Sequence, residues 1–199
     1  VCSSDLKIID PTTRDPVVIK LFMDGRHLPK EQQVYDWVRN AGGHPNILNY
    51  INNGRYICGS KQFLGLTFPL FPHGSVADML DRDPTFSDAL LYRWLRDATS
   101  GLKFLADQDI IHWDIKPANL LVQGDFSLVI GDLGMATKTM LPANAAGPRG
   151  TLFYCAPEAI NMLGYSPAVD IWSLGISMYE IVTRKSPYSN DWENWHNNI

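Results

Sequence analysis

The sequence predicts an α+β fold in which a small antiparallel sheet is followed by a mainly helical region. Three observations carry this reading. Short apolar runs bounded by Pro, Gly and Asn fill residues 7–68, apolar residues recur with a period near 3.6 beyond residue 75, and Pro69 and Pro72 separate the two halves. With 199 residues, 45% hydrophobic and 19% charged, the chain can bury a substantial core.

Val1 is not an initiator Met, no signal-peptide pattern is present, and the chain is expected to be a fragment. Its opening Val1-Cys2-Ser3-Ser4-Asp5-Leu6 resembles translated sequencing-adapter read-through, so residues 1–6 are treated as a candidate non-native segment and kept out of the fold reasoning. Residues 7–10 and 17–22 flank a Pro-Thr-Thr-Arg-Asp-Pro turn and read as an antiparallel pair of strands, the second carrying Val17-Val18-Ile19-Lys20. Glu31, Val34, Tyr35 and Val38 then recur at helical spacing until Gly42-Gly43 and His44-Pro45 end the helix. Strands are expected at residues 47–50 with 56–58, and at 63–68.

Residues 69–74 read as a hinge and lobe boundary between residues 7–68 and residues 75–199, where Pro69 and Pro72 interrupt regular structure and Ser75-Val76-Ala77-Asp78 has the form of a helix capping box. A long helix is expected over 87–106, with Leu91, Trp94, Leu95, Ala98, Leu102 and Leu105 on one face. Residues 170–183 are apolar almost all round, the pattern of a helix buried in the centre of a lobe.

Composition excludes several function classes. A net charge of -4 with scattered Lys and Arg offers no basic run to attract nucleic acid or an anionic membrane, so neither partner is expected. The longest apolar stretch, residues 171–182, contains Glu180 and falls short of the roughly 20 residues that span a bilayer. Cys2, Cys58 and Cys155 are odd in number and widely spaced, which suggests neither disulfides nor a zinc knuckle and points to a reducing, intracellular compartment.

The chemistry is concentrated in His112-Trp113-Asp114-Ile115-Lys116-Pro117-Ala118-Asn119, followed by Gly131-Asp132-Leu133-Gly134. Acid, lysine, amide and second acid at this spacing could gather a nucleotide's phosphates and metal ions. A lone Asp or Asn in a loop is usually a turn former, but the joint pattern is hard to obtain by chance. The order resembles the catalytic and metal-binding loops of eukaryotic protein kinases, with Trp113 standing where arginine is usual.

This resemblance extends over residues 7–199 and implies an incomplete two-lobed kinase fold, an ATP- and Mg²⁺-dependent activity of serine/threonine type, and a protein substrate. By resemblance, Asp114 accepts the substrate hydroxyl's proton, Lys116 offsets charge on the transferred group, and Asn119 and Asp132 hold Mg²⁺. Lys20 holds the α- and β-phosphates and pairs with a helix glutamate. Family spacing puts that glutamate near Tyr35 or Asp36, whereas helical phase favours Glu31.

Phe68 resembles the residue that closes the pocket behind adenine. The same resemblance implies that backbone groups of Pro69 and Phe71 bind the base, that Val18 and Leu121 sandwich it, and that Ser75 completes the nucleotide set. The stretch Gly150-Thr151 through Ala156-Pro157-Glu158 resembles the end of an activation segment; there Thr151 ties Asp114 to Lys116, and Asp170 braces the catalytic loop. His112 is expected to be a packed, hydrogen-bonded ring.

No Gly-x-Gly-x-x-Gly precedes Lys20, and the last helices of a larger lobe are not in the sequence, so truncation at both ends is expected. The alternative to a kinase is a kinase-fold pseudoenzyme that binds nucleotide or acts as a scaffold. Trp113, a neutral donor in place of a cation, further implies that phosphorylation of the activation segment is not required through this pocket.

Overall fold

The computed structural model describes residues 3–10, 12–22, 27–58, 60–82, 85–139, 150–161 and 166–188. Its upper part is a four-stranded sheet built from β1 (Ser3–Ile9), β2 (Pro16–Phe22), β3 (Asn52–Cys58) and β4 (Lys61–Pro69), in the order β1-β2-β4-β3 with every pair antiparallel. The turn between β1 and β2 forms because the Asp10 carboxylate accepts the Thr12 and Thr13 N–H groups while Arg14 adopts a left-handed conformation (φ 67°). β1 starts at Ser3 rather than residue 7, and Ser3 to Leu6 pair with Phe22 to Ile19. The segment set aside as non-native therefore supplies half of an edge strand.

Helix α1 (His27–Asn40) turns its expected face inward, with Glu31, Val34, Tyr35 and Val38 all buried. It ends where Gly43, at φ 70°, donates its N–H to the Val38 carbonyl, a conformation that glycine adopts without steric cost.

Residues 47–50 are not a strand of the upper sheet. Their polar backbone pairs with the lower lobe instead: Leu48 N–H donates to Ile130 O, Ile130 N–H donates to Asn46 O, and Asn46 Nδ2 donates to Leu128 O. This makes a single parallel bridge, Ile47 to Ile130. It also decides a glycine, since a Cβ on Gly101 would meet Asn46 O at 2.9 Å.

The lower lobe begins with α2 (Val76–Arg82), whose capping box forms as expected: Ser75 Oγ accepts Asp78 N–H, and Asp78 Oδ2 accepts Ser75 N–H. Helix α3 (Asp88–Asp107) starts at Ser87, whose Oγ accepts Leu90 N–H. Its buried stripe is rotated from the expected one. Trp94, Asp97, Ala98, Gly101, Leu102 and Leu105 are buried, while Leu95 is 40% exposed, because Asp97 is drawn inward to accept Leu128 N–H.

After β5 (Ile110–Ile111) and the loop at residues 112–119 comes the hairpin of β6 (Leu120–Val122) and β7 (Leu128–Ile130), and β8 (Thr137–Lys138) pairs back on β5. A short α4 (Pro157–Ile160) precedes α5 (Ala168–Thr183). Among the described residues α5 is covered on one side only; Ile171, Trp172, Tyr179 and Val182 are exposed. The expectation of a helix buried all round does not hold for them. The covered side carries polar residues with defined partners: Ser173 Oγ donates to Tyr154 O, and Ser177 Oγ to Ile115 O.

One apolar core runs through both lobes, from Val34, Tyr35 and Leu66 above to Trp94, Leu105, Ile130 and Ile181 below, and a smaller cluster gathers Ile111, Trp113, Ala156, Ala159 and Val169. The upper sheet and the β6–β7 hairpin are thereby fixed on either side of one cleft. No helix among the described residues is long and apolar enough to cross a membrane.

Candidate active site

The loop at residues 112–119 leaves β5 in an unfavourable conformation that buried contacts hold in place. Trp113 adopts a left-handed backbone (φ 73°), which costs a non-glycine residue about 1 kcal/mol. Asp170, 2% exposed, repays that strain by accepting His112 N–H on Oδ2 (2.7 Å) and Trp113 N–H on Oδ1 (2.9 Å). Burial pushes the Asp170 carboxyl pKa up, and the His112 side chain and the two backbone donors pull against it. His112 is fully buried, with Nε2 2.8 Å from Gly131 O and Nδ1 accepting Asp114 N–H, so one ring ties the loop at residues 112–119 to the Gly131-Asp132 turn.

Asp114 is surrounded by donors. Oδ1 accepts Thr151 N–H (2.9 Å) and Thr151 Oγ1 (2.8 Å), and Oδ2 accepts Asn119 Nδ2 (2.9 Å) and faces Lys116 Nζ at 2.8 Å. Burial works against its ionised form, but the bonds from Lys116 and Thr151, the lysine's charge and the Asn119 amide outweigh burial and hold the pKa below the ordinary carboxylate value. Lys116 also donates to Thr151 Oγ1 at 2.6 Å, so Thr151 does join Asp114 to Lys116.

Across the cleft, Lys20 Nζ lies 2.9 Å from Glu31 Oε1 and 2.8 Å from Asp132 Oδ1. Glu31, rather than Tyr35 or Asp36, is therefore the partner on α1. Burial alone would lower the Lys20 pKa, but the two carboxylates raise it and keep the ammonium charged. Glu31 is 5% exposed and burial pushes its carboxyl up despite Lys20, which it shares with Asp132. The same close packing explains Gly134, where a Cβ would come within 3.1 Å of both Asp132 Oδ1 and Glu31 Oε2.

Between these two groups lies a cavity of about 330 Å³. Of the predicted nucleotide and metal residues, Val18, Lys20, Pro69, Phe71, Ser75, Leu121, Asn119 and Asp132 line it, and Phe68 is part of its wall. Glu31 stands behind Lys20 rather than in the wall, and Asp114 and Lys116 lie in the adjoining loop. The Phe71 carbonyl accepts Gly74 N–H, which leaves one of its lone pairs for a ligand. Leu121 is fixed by a bridge to Ser75 and by Gly131, where a Cβ would come within 2.9 Å of Leu121 Cδ1.

Several wall residues escaped the sequence reading, among them Asp5, Lys7, Tyr35, Leu48, Gly74 and Asp78. Tyr35 had the signal of a core position, yet its hydroxyl accepts Leu133 N–H and its ring packs 5.3 Å from Phe68. Asp78 was legible only as a helix cap.

The donor set suits a hard cation. Asn119 Nδ2 donates to Asp114 O and Oδ2, so its amide Oδ1 could serve as a ligand, and Asp132 Oδ1 takes Lys20 and Gly134 N–H while Oδ2 has no hydrogen bond among the described residues. No group of three or more His, Cys, Asp or Glu residues poised for a metal occurs among the described residues, so an ion held here would draw further ligands from phosphate and water.

A family profile described as protein kinase domain matches residues 3–199. The chain belongs to the protein kinase family. This kinase domain is 29% identical over 170 residues to mitogen-activated protein kinase kinase kinase 3 of Arabidopsis thaliana, covering 84% of the chain and 25% of that protein. It is 30% identical over 186 residues to mitogen-activated protein kinase kinase kinase A of Dictyostelium discoideum, covering 93% of the chain and 18% of the relative. A mitogen-activated protein kinase kinase kinase of Pyricularia oryzae is 34% identical over 155 residues, or 73% of the chain and 16% of its own length. The chain thus spans a quarter or less of these relatives.

Proposed function

We propose that this kinase domain transfers the terminal phosphoryl group of ATP to a serine or threonine hydroxyl of a protein substrate. The observation that carries the reading is the convergence of Lys20, Asn119 and Asp132 on one cavity, with the Asp114, Lys116 and Thr151 cluster beside it. Phosphoryl transfer requires little covalent chemistry from a protein and much positioning, and these side chains are positioned by one another.

Lys20 binds the inner phosphates, held in place by Glu31. Val18 and Leu121 enclose the base, while the backbone of Pro69 and Phe71 and the hydroxyl of Ser75 orient the nucleoside. Asn119 and Asp132 would hold Mg²⁺, which when bound neutralises charge on the phosphates. Asp114, ionised at neutral pH, accepts a hydrogen bond from the substrate hydroxyl on Oδ2 in exchange for one of its present donors. It receives the proton as the new O–P bond forms and the bond to the leaving diphosphate breaks. Lys116 remains beside Asp114 and offsets charge on the transferred group.

Labelled ATP, magnesium and dephosphorylated casein test the reading. The protein should label casein on Ser and Thr, and Asp114→Asn should slow transfer roughly a hundredfold to ten-thousandfold while ATP binding is retained. Wild-type protein that binds ATP and transfers nothing would overturn the proposal in favour of a nucleotide-binding module.

A further inference from the structure

We infer that Phe126 and His73 form an aromatic strut that fixes the connection from β4 to α2, and through it the wall against which the nucleotide binds. Neither ring lines the cavity, so both are positioning residues. The inference rests on the nucleotide reading above and adds what holds that wall still.

A strained backbone points to the strut. Phe126 lies at φ 64° in the turn between β6 and β7, a left-handed conformation that bulky side chains rarely adopt. Such a residue persists only where its surroundings over-determine it. Here two neighbours on α3 grip the turn: Arg93 Nη1 donates to Asp125 O at 2.6 Å, Arg93 Nη2 to Asp125 Oδ2 at 2.9 Å, and Trp94 Nε1 to Phe126 O at 3.1 Å. Within the turn, Ser127 donates to Asp125 Oδ1 from both its N–H and its hydroxyl, and Phe126 N–H donates to Gln123 O. Burial does not explain a phenylalanine at this position, because the side chain stays 41% exposed. Its partner does. The ring lies flat against the His73 imidazole, with centroids 4.3 Å apart and planes 21° from parallel. Alongside, a Cβ on Gly124 would come within 3.9 Å of Pro72 Cγ, so the turn meets two consecutive residues of the connection.

Those two residues have the least support of their own. Leu70 N–H donates to Pro16 O, Phe71 O accepts Gly74 N–H, Gly74 O accepts Val122 N–H, and Ser75 is bridged to Leu121. Among the described residues, neither Pro72 nor His73 makes a hydrogen bond. Yet His73 is flanked by wall residues, Phe71 before it and Gly74 and Ser75 after it. Without the stack this stretch has more conformations to lose when a nucleotide binds, and affinity falls. The bonds that hold Lys20, Asp114 and Lys116 involve neither ring, so the transfer step is unaffected.

Phe126→Gly tests the strut most directly, because it removes the ring and relieves the backbone strain together. In the full chain, Phe126→Gly and Phe126→Ala should each bind ATP with magnesium roughly threefold to tenfold more weakly than wild type by titration calorimetry, with KM for ATP rising to match and kcat within about twofold. Phe126→Gly should unfold at no lower denaturant concentration than Phe126→Ala, which separates the lost affinity from lost stability. His73→Ala should bind as weakly as Phe126→Ala, and the double variant no more weakly than either. Phe126→Tyr and His73→Phe keep a stack and should bind within about twofold of wild type. Unchanged affinity in Phe126→Gly, or an equal fall in kcat, would overturn the inference. The His73 ring-proton signals in an NMR spectrum read the stack without nucleotide, since the Phe126 ring current shields them, and Phe126→Gly should move them downfield. If wild-type protein binds no ATP, the nucleotide reading has failed; His73 signals unmoved by Phe126→Gly mark the separate failure of the strut.

Discussion

The two halves of the site are held together in different ways. The loop at residues 112–119 is short and saturated with hydrogen bonds: Asn119 turns back on Asp114 five residues earlier, His112 Nδ1 accepts Asp114 N–H, and Asp170, Thr151, Gly131, Thr137 and Ser177 bond to it from farther along the chain. The Lys20 group has no such local frame. Its cation comes from β2, Glu31 from α1 eleven residues on, and Asp132 from the lower lobe 112 residues away. A loop with bonds of its own keeps part of its geometry when one outside partner is lost. An ion pair spanning the cleft keeps its geometry only while both lobes stay packed on the common core.

Removing the brace should have the largest effect. Asp170→Ala leaves two buried N–H groups without an acceptor beside a left-handed residue, and should cost about 3 kcal/mol of stability together with most activity, read by denaturant unfolding and transfer assays. A variant that unfolds like wild type would show that the loop holds itself.

Next, Lys20→Met should lower kcat/KM roughly a hundredfold. It also strands Glu31, 5% exposed, and should cost about 3 kcal/mol; adding Glu31→Leu should recover the stability and none of the activity. Recovery of both would mean the cation serves only the fold.

Gly134→Ala should be milder, about 1 kcal/mol, because the new methyl presses on Asp132 Oδ1 and Glu31 Oε2 at 3.1 Å. Its signature is a raised KM for ATP with the catalytic loop intact.

The smallest difference is in the response to pH, and its sign separates the two regions. The Asp114 pKa is lowered in the fold, so its contribution to stability is present above the ordinary carboxylate pKa of about 4 and is lost as pH falls through the folded value. The Glu31 pKa is raised, so its contribution is present below the ordinary value and is lost as pH rises through the folded one. Unfolding free energies of Asp114→Asn and Glu31→Gln relative to wild type, measured from about pH 3 to 7, should therefore drift in opposite directions. Parallel drifts would remove the contrast.

Much of this was legible without coordinates where the determinants are local. The strand pair around the Asp10 turn, the capping box at Ser75 and the start of α3 at Ser87 follow from side chains bonding within three residues of themselves. Elsewhere the pattern misled. Residues 47–50 have strand-like composition, but their backbone partners are in the lower lobe, and no periodicity indicates which lobe supplies them. Leu95 fits an apolar stripe, yet the stripe turns toward Asp97 because Leu128 N–H needs an acceptor. The apolar surface of α5 is likewise not evidence of burial on every side.

By itself, then, the sequence determined the chemical groups and the local frames that carry them: the spacing of Asp114, Lys116 and Asn119 within one loop, the Asp132 turn, and the strand that bears Lys20. Only the tertiary structure decided which carboxylate meets Lys20, since helical phase and family spacing pointed to different residues and the docking of α1 under β4 selects Glu31. It also converted Trp113 from an oddity of spelling into a contact with Thr137, twenty-four residues away. The physical reason is the same in both cases. Bonds within a turn are set by the chain's own short-range geometry, whereas bonds between elements depend on how a shared core orients them.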